Sequence, residues 1–299
     1  TNEEGLQTTG QLLKKGLQAK LIQANDGFNL YNLVEVRFFL DQLSMDDDVF
    51  IISDDIWLKA KRALVNKFGN STKLEICKNL IKDFEATNQN RRYKSDFQAF
   101  IRESKMEDFF KENGETIFVS TIHKSKGKEF DNVFLMLDNF STATDEAKRQ
   151  LYVALTRAKR NLAIHLNTSC FDNFVTDGLQ HLYDGTAYLP PTELVVQLTY
   201  KDVWLDYFIN KQHLVSELVI GDSLLWNGDC CLTEARKPVL KFSKDYLHQI
   251  ELLKQKDYQL KSVKINLMLY WLKEGAQQEI KIILPELCFI KSDHENNVK

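Results

Sequence analysis

The sequence predicts an α/β protein: an open parallel sheet interrupted by a small helical insertion and followed by an α+β or barrel-like C-terminal domain. Three observations carry this expectation. Residues 116–166 run strand, loop, strand, helix, strand, the order of an open α/β sheet. Residues 49–112 alternate basic and acidic residues and carry few strand signals, which reads as helix throughout. Beyond Leu189-Pro190-Pro191, in a chain with only 4 prolines, the texture changes to short strand-like runs.

Each element follows from local pattern. Leu6, Leu12, Leu13 and Leu17 lie at helical spacing over residues 6–18, and Lys20-Leu-Ile-Gln reads as a short strand. Asn25-Asp-Gly27 is a turn signal. Leu30, Leu33, Val34, Phe38 and Leu40 supply an apolar stripe for a helix over 30–43. Met45-Asp46-Asp47-Asp48 marks a break. The helical stretch that follows is expected to loop near Phe68–Thr72 and Asn88–Arg92. Residues 116–121 read as a strand, and 132–138 as a second, apolar enough to be buried on both faces. Residues 145–158 read as helix and 161–166 as a third strand. In the C-terminal part, strands are expected at 194–199, 222–227, 238–242, 260–272 and 278–284, with helices near 201–217 and 244–256. Residues 292–299 are polar and read as disordered.

The resulting partition places an α/β domain at 1–45 plus 113–170, the insertion at 46–112, a linker at 171–191 and an accessory α+β domain at 192–291. The chain opens on Thr rather than Met, so it reads as an excised piece of a longer protein. Its 299 residues are 43% hydrophobic and 27% charged, an ordinary globular balance. No apolar run reaches the ~18 residues a membrane helix needs, and no signal peptide is visible. A net charge of −3 argues against a free-standing, uniformly basic nucleic-acid-binding domain. Local clusters nevertheless exist at Lys124, Lys126, Lys128 and at Lys148, Arg149, Arg157, Lys159, Arg160. A groove gripping one strand needs only local positive potential. Five scattered cysteines, two of them adjacent at Cys230-Cys231, read as reduced thiols of a cytoplasmic protein rather than a disulfide framework or metal clamp.

Two strings carry chemistry. Thr121-Ile-His123-Lys124-Ser-Lys126-Gly127-Lys-Glu129-Phe130 leaves the C-terminal end of a strand, where open parallel sheets place ligands. Thr121 and His123 can donate to phosphates, Gly127 admits close backbone approach, Glu129 can accept from a ribose hydroxyl, and Phe130 can plug the core. Any one of these residues alone reads as part of a solvated basic turn; the whole string carries the argument. The second string, Tyr152-Val-Ala-Leu-Thr156-Arg157-Ala158, ends a helix with an arginine. A cation there is favoured by the helix dipole. Held beside a nucleotide, its guanidinium can also neutralise charge developing on the γ-phosphate, an effect on the order of 10³–10⁵ in rate.

Together the strings resemble motifs V and VI of superfamily-one DNA helicases of the UvrD/Rep/PcrA type. The matching residues are Thr121, His123, Ser125, Lys126, Gly127, Glu129 and Phe130, then Glu146, Lys148, Arg149, Tyr152, Val153, Ala154, Thr156, Arg157 and Ala158. The resemblance extends weakly upstream, through Gly16, Lys20, Gly27-Phe28 and Glu35-Val-Arg37. It implies a RecA-like second motor domain, an insertion shorter than the family's usual one, and a helicase that moves along single-stranded or partly duplex DNA. It also implies ATP with Mg²⁺, held mainly by an N-terminal motor domain supplied in cis. The phosphate-holding loop, the Mg²⁺-holding Asp-Glu pair and the Asn-Tyr-Arg-Ser motif of that family are absent here. By the same resemblance Thr121, His123 and Lys124 lie toward DNA, Gly127 and Glu129 toward the nucleotide, and Arg157 at the γ-phosphate. Lys126 braces the loop, and Tyr152 is either core or contact. The chain alone is expected to be inactive, and Arg157→Ala in the full-length protein to cut ATP turnover by orders of magnitude with little effect on folding.

Two other readings remain open: a helicase-like scaffold with a dead motor and a protein-binding role, and a helicase–nuclease fusion. The second rests on Glu279-Ile280-Lys281, which also fits a plain half-buried strand and lacks an upstream Asp partner. The C-terminal domain faintly resembles HIRAN-type barrels that bind DNA ends, and a protein-contact module fits it equally. Trp204, Tyr207 and Phe208 lie at helical spacing and read as core rather than a base-stacking platform.

Overall fold

A computed structural model describes the chain except for residues 1–4, 6–7, 10, 13–14, 23–28, 44–50, 89–90, 105–108, 110–115, 187–189 and 292–299. The expected turn at 25–27, the break at 45–48, Leu189 and the C-terminal tail lie outside the described residues. Along the chain the elements are β1 (Ala19–Leu21), α1 (Val34–Gln42), α2 (Asp54–Phe68), α3 (Leu74–Thr87), α4 (Lys94–Glu103), β2 (Ile117–Val119) and β3 (Phe130–Leu137). They continue with α5 (Asp145–Leu155), β4 (Ala158–Leu166), β5 (Glu193–Gln197), α6 (Gln212–Glu217), β6 (Ser223–Asn227) and β7 (Cys230–Leu232). The last are β8 (Pro238–Lys241), α7 (Lys244–Gln255), β9 (Tyr258–Trp271) and β10 (Ile280–Lys291). The chain divides into two compact units, Thr1–Ala24 with Thr116–Pro191, and Asn25–Glu115 with Thr192–Lys299.

The first unit is built on parallel pairing. β1 pairs with β2 and β3 with β4, both parallel, and among the described residues the two pairs stay separate. Gly5 is helical, and an added Cβ there would come within 2.9 Å of Leu21 Cδ1. β3 and β4 are joined through α5, the crossover that parallel neighbours require. Thr144 caps α5 through its hydroxyl, which accepts from the Ala147 amide, and Asp145 and Glu146 sit in the first turn where the dipole favours them. Leu135 and Leu137 pack on Leu151 and Ala154 as a small core, with Ile122, Phe140, Ile164 and Leu166 at its margin.

Here one expectation is corrected. β3 is not buried on both faces: Phe134 and Met136 are 69% and 62% exposed, because α5 covers only the face carrying Leu135 and Leu137. The helix also ends at Leu155 rather than 158, and Ala158 already belongs to β4, paired with Phe130.

The second unit joins the helices to a curled, six-stranded antiparallel sheet of order β5-β10-β9-β6-β7-β8. The helices pack around an aromatic centre in which Phe39, Trp57, Phe84 and Phe97 are all buried. Phe84 and Phe97 rings lie 4.8 Å apart, and Trp57 and Phe97 5.3 Å apart. Trp57 Nε1 donates to Glu85 Oε1 at 2.6 Å, which satisfies the buried indole. The α2 and α3 boundaries fall at the loops read from sequence. Leu33 bridges Leu269 of β9, and Thr72 Oγ1 donates to Asn266 Oδ1 at 3.0 Å, so helices and sheet share one body. β7 is an additional strand, and Leu205–Lys211 is a 3-10 helix rather than α-helix. No helix among the described residues is long and apolar enough to cross a membrane.

Candidate nucleotide and nucleic-acid site

Within the first unit the two strings meet. After β2, Thr121 turns the chain: its carbonyl accepts from the Lys124 and Ser125 amides at 3.1 and 3.2 Å. His123–Ser125 form one 3-10 turn. Ser125 is buried and its Oγ donates to Ile122 O at 2.8 Å, locking the turn from beneath. Gly127 then adopts φ +83°, and a Cβ there would meet nothing within 4 Å. The glycine is required for backbone conformation, and it leaves open space above the loop. No helix begins here; the loop passes directly into β3.

Arg157 closes the arrangement from the other side. Its Nε donates to Val153 O at 2.8 Å, its Nη1 to Lys128 O at 2.9 Å and its Nη2 to Thr156 Oγ1 at 3.0 Å. The Phe130 amide in turn donates to Arg157 O at 2.8 Å. The half-buried arginine therefore ties the loop to the end of α5 with three of its five N–H donors. Thr156 Oγ1 also donates to Tyr152 O at 2.9 Å, tightening the last turn.

The remaining expected residues surround this junction. His123, Lys126, Gly127 and Glu129 are exposed, while Thr121 and Lys124 are half-buried. The Glu129 carboxylate lies 4.0 Å from Lys159 Nζ, and Asp131 lies 3.8 Å from Arg160 Nε. Both ion pairs are open to solvent, so their net effect on stability is small. Phe130 is half-buried, with its ring 6.3 Å from that of Phe118. Tyr152 is 69% exposed and is therefore not core. Sequence reasoning missed the carbonyls of Val153 and Lys128 as guanidinium acceptors. No residue-type signal marks a backbone acceptor, and only the positive φ of the neighbouring glycine hints that the loop doubles back.

No grouping of three or more His, Cys, Asp or Glu that could hold a metal occurs among the described residues. Glu279 accepts from Arg37 Nη2 at 2.5 Å, and Arg37 stacks between Tyr31 and Tyr270 at 4.6 and 5.0 Å from the ring centroids. That carboxylate is a structural partner. The five cysteines are all free thiols, with Cys77 and Cys231 buried.

Residues 44–169 match the family model described as UvrD-like helicase C-terminal domain. The chain is also similar to the RecBCD enzyme subunit RecB of Chlamydia pneumoniae, 39% identical over 62 residues. That stretch is 20% of this chain and 6% of RecB. The segment matched by the family model contains both strings and the junction they build, and the two likenesses support a UvrD-type helicase C-terminal region over those residues.

Proposed function

We propose that the first unit is the second RecA-like domain of an ATP-dependent DNA helicase, completing an ATP site whose phosphate loop and Mg²⁺ are held by a partner motor domain. The observation that carries this is the junction itself: Arg157 and the Gly127 loop, 30 residues apart in sequence, are bonded to each other through Lys128 O. In this reading the Arg157 N–H donors beyond those engaged face the γ-phosphate. There they offset charge that builds as the bond to the leaving group breaks. Gly127 leaves room for the nucleotide, and Glu129 exchanges its loose contact with Lys159 for a ribose hydroxyl.

Thr121, His123 and Lys124 belong to the same turn and would grip a DNA strand. Their shared backbone hydrogen bonds supply a route by which grip and nucleotide state influence each other: Thr121 O holds the turn, and the turn runs into the Gly127 loop that Arg157 secures. Parallel pairing of β3 and β4 across α5 supports the RecA-like assignment, since such sheets place ligands beyond the carboxyl ends of their strands.

The test is kinetic. The purified 299-residue chain should hydrolyse no ATP, and in the full-length protein His123→Ala should lower DNA-stimulated turnover more than basal turnover. Appreciable hydrolysis by the chain alone, or equal loss in both modes, would refute the assignment.

A further inference from the structure

Trp204, Tyr207 and Phe208 share a helical spacing, and sequence alone reads all three as core. The structure divides them. Phe208 is fully buried, whereas Trp204 is 52% exposed and Tyr207 half-buried. Their rings lie 6.0 Å apart with an interplanar angle of 36°. The backbone beneath is pinned: Trp204 N donates to Lys241 O at 2.8 Å, and Val203 forms an antiparallel bridge with Phe242.

A cation lies over each ring: Lys241 Nζ is 5.8 Å from the Trp204 ring centroid, and Lys211 Nζ 5.3 Å from that of Tyr207. Lys273 Nζ pairs with Asp206 at 2.6 Å, and Lys241 with Asp229 at 2.9 Å. Lys241 and Lys273 are thus held in ion pairs near the partly exposed aromatic pair, and Lys211 lies over Tyr207. Exposed aromatic surface with mobile lysine amines beside it suits a base and its neighbouring phosphates, because a long lysine side chain can swing off the ring to a phosphate as a base stacks. A duplex keeps its bases stacked inside, so only a single strand can use such a platform. An incoming phosphate can replace Asp229 on Lys241 without leaving either the amine or the exposed carboxylate desolvated.

We propose that Trp204 and Tyr207 form a stacking platform for a base of single-stranded nucleic acid, with Lys211 and Lys241 receiving the adjacent phosphates. The helicase reading supplies only the choice of a DNA strand as ligand. The platform belongs to the second unit, whereas the residues that carry that reading belong to the first.

The experiment is fluorescence anisotropy of a labelled oligothymidylate titrated with the full 299-residue chain. Trp204→Ala should weaken binding about tenfold, the effect of one lost base stack, and Trp204→Phe should stay within about threefold of the parent. Replacing both Lys211 and Lys241 with Ala should flatten the log–log salt dependence by about 1.4, from 0.7 per phosphate contact. The proposal is overturned if Trp204→Ala binds like the parent, if Trp204→Phe is as weak as Trp204→Ala, or if the parent chain does not bind. A His123→Ala control separates the two readings. Binding lost there but kept in Trp204→Ala would sink the platform alone. Platform-dependent binding in a full-length protein whose ATP turnover ignores DNA would sink the helicase reading alone.

Discussion

Replacing Arg157 with alanine should destabilise the first unit as well as stop turnover. The expectation from resemblance alone, that folding would be little affected, does not survive the geometry. The guanidinium donates to Val153 O, Lys128 O and Thr156 Oγ1, and alanine removes all three bonds. Net contributions of ~0.5–1.5 kcal/mol each would total ~1.5–4.5 kcal/mol; partial exposure lets water replace some of them, so the lower part of that range, ~2 kcal/mol, applies. Such a loss lowers the closed-to-open ratio by about 30-fold. Hydrogen exchange read on peptides covering residues 121–137 is the suitable assay, because two units make a single global unfolding midpoint ambiguous. Protection should fall there and remain unchanged across β9 and β10. Parent-like exchange in the 121–137 peptides would show that the three bonds are not formed in solution, and the junction described above would be wrong.

Other outcomes follow from separate features. Gly127→Ala should cost about 1–2 kcal/mol, measured by thermal or urea melts, because φ is +83° while space for the methyl is open. Leu137→Ala should cost ~2–5 kcal/mol by opening a cavity against Leu151 and Ala154, and a smaller loss would mean that this little core collapses around the gap. Glu35 is fully buried; Ser71 Oγ donates to its Oε1 at 2.6 Å while Oε2 has no partner, and burial pushes its carboxyl above the ordinary carboxylate value. The folded state then holds a proton that the unfolded chain has released, so stability falls as pH rises from about the ordinary carboxylate pKa toward the folded one. Glu35→Gln should therefore gain on the parent as pH rises through that window, and identical pH profiles in urea melts would contradict this.

Much of the architecture was legible because local pattern and tertiary environment agree. α5 begins at a Thr144 cap followed by two acids, and its Leu151 and Ala154 sit where helical spacing puts them. The long C-terminal strands followed from alternation and β-rich composition. β7 was missed because three residues, two of them cysteine, hold too little period to register. The 3-10 character of Leu205–Lys211 was missed because apolar spacing does not distinguish it from an α-helix over seven residues. The Thr72–Asn266 contact spans 194 positions, and no local signal encodes it.

At the candidate site, residue identities were visible and their partnerships were not. Thr121, His123, Gly127, Glu129 and Arg157 stood out as a string, and Gly127 does adopt the conformation that only glycine takes easily. That Arg157 would spend donors on carbonyls of its own chain depends on how β3 and the end of α5 meet, a packing outcome rather than a motif. Trp204 shows the reverse case: spacing suggested core, but the chain's return through β8 leaves its ring outside.

The most direct measurement is ATP turnover by the full-length protein carrying Arg157→Lys, which keeps the positive charge but not the planar fork. The account predicts a fall on the order of 10³–10⁵ in DNA-stimulated turnover, the range attributed to an arginine finger. Turnover within about threefold of the parent would contradict it, leaving Arg157 as a clamp between loop and helix and no more.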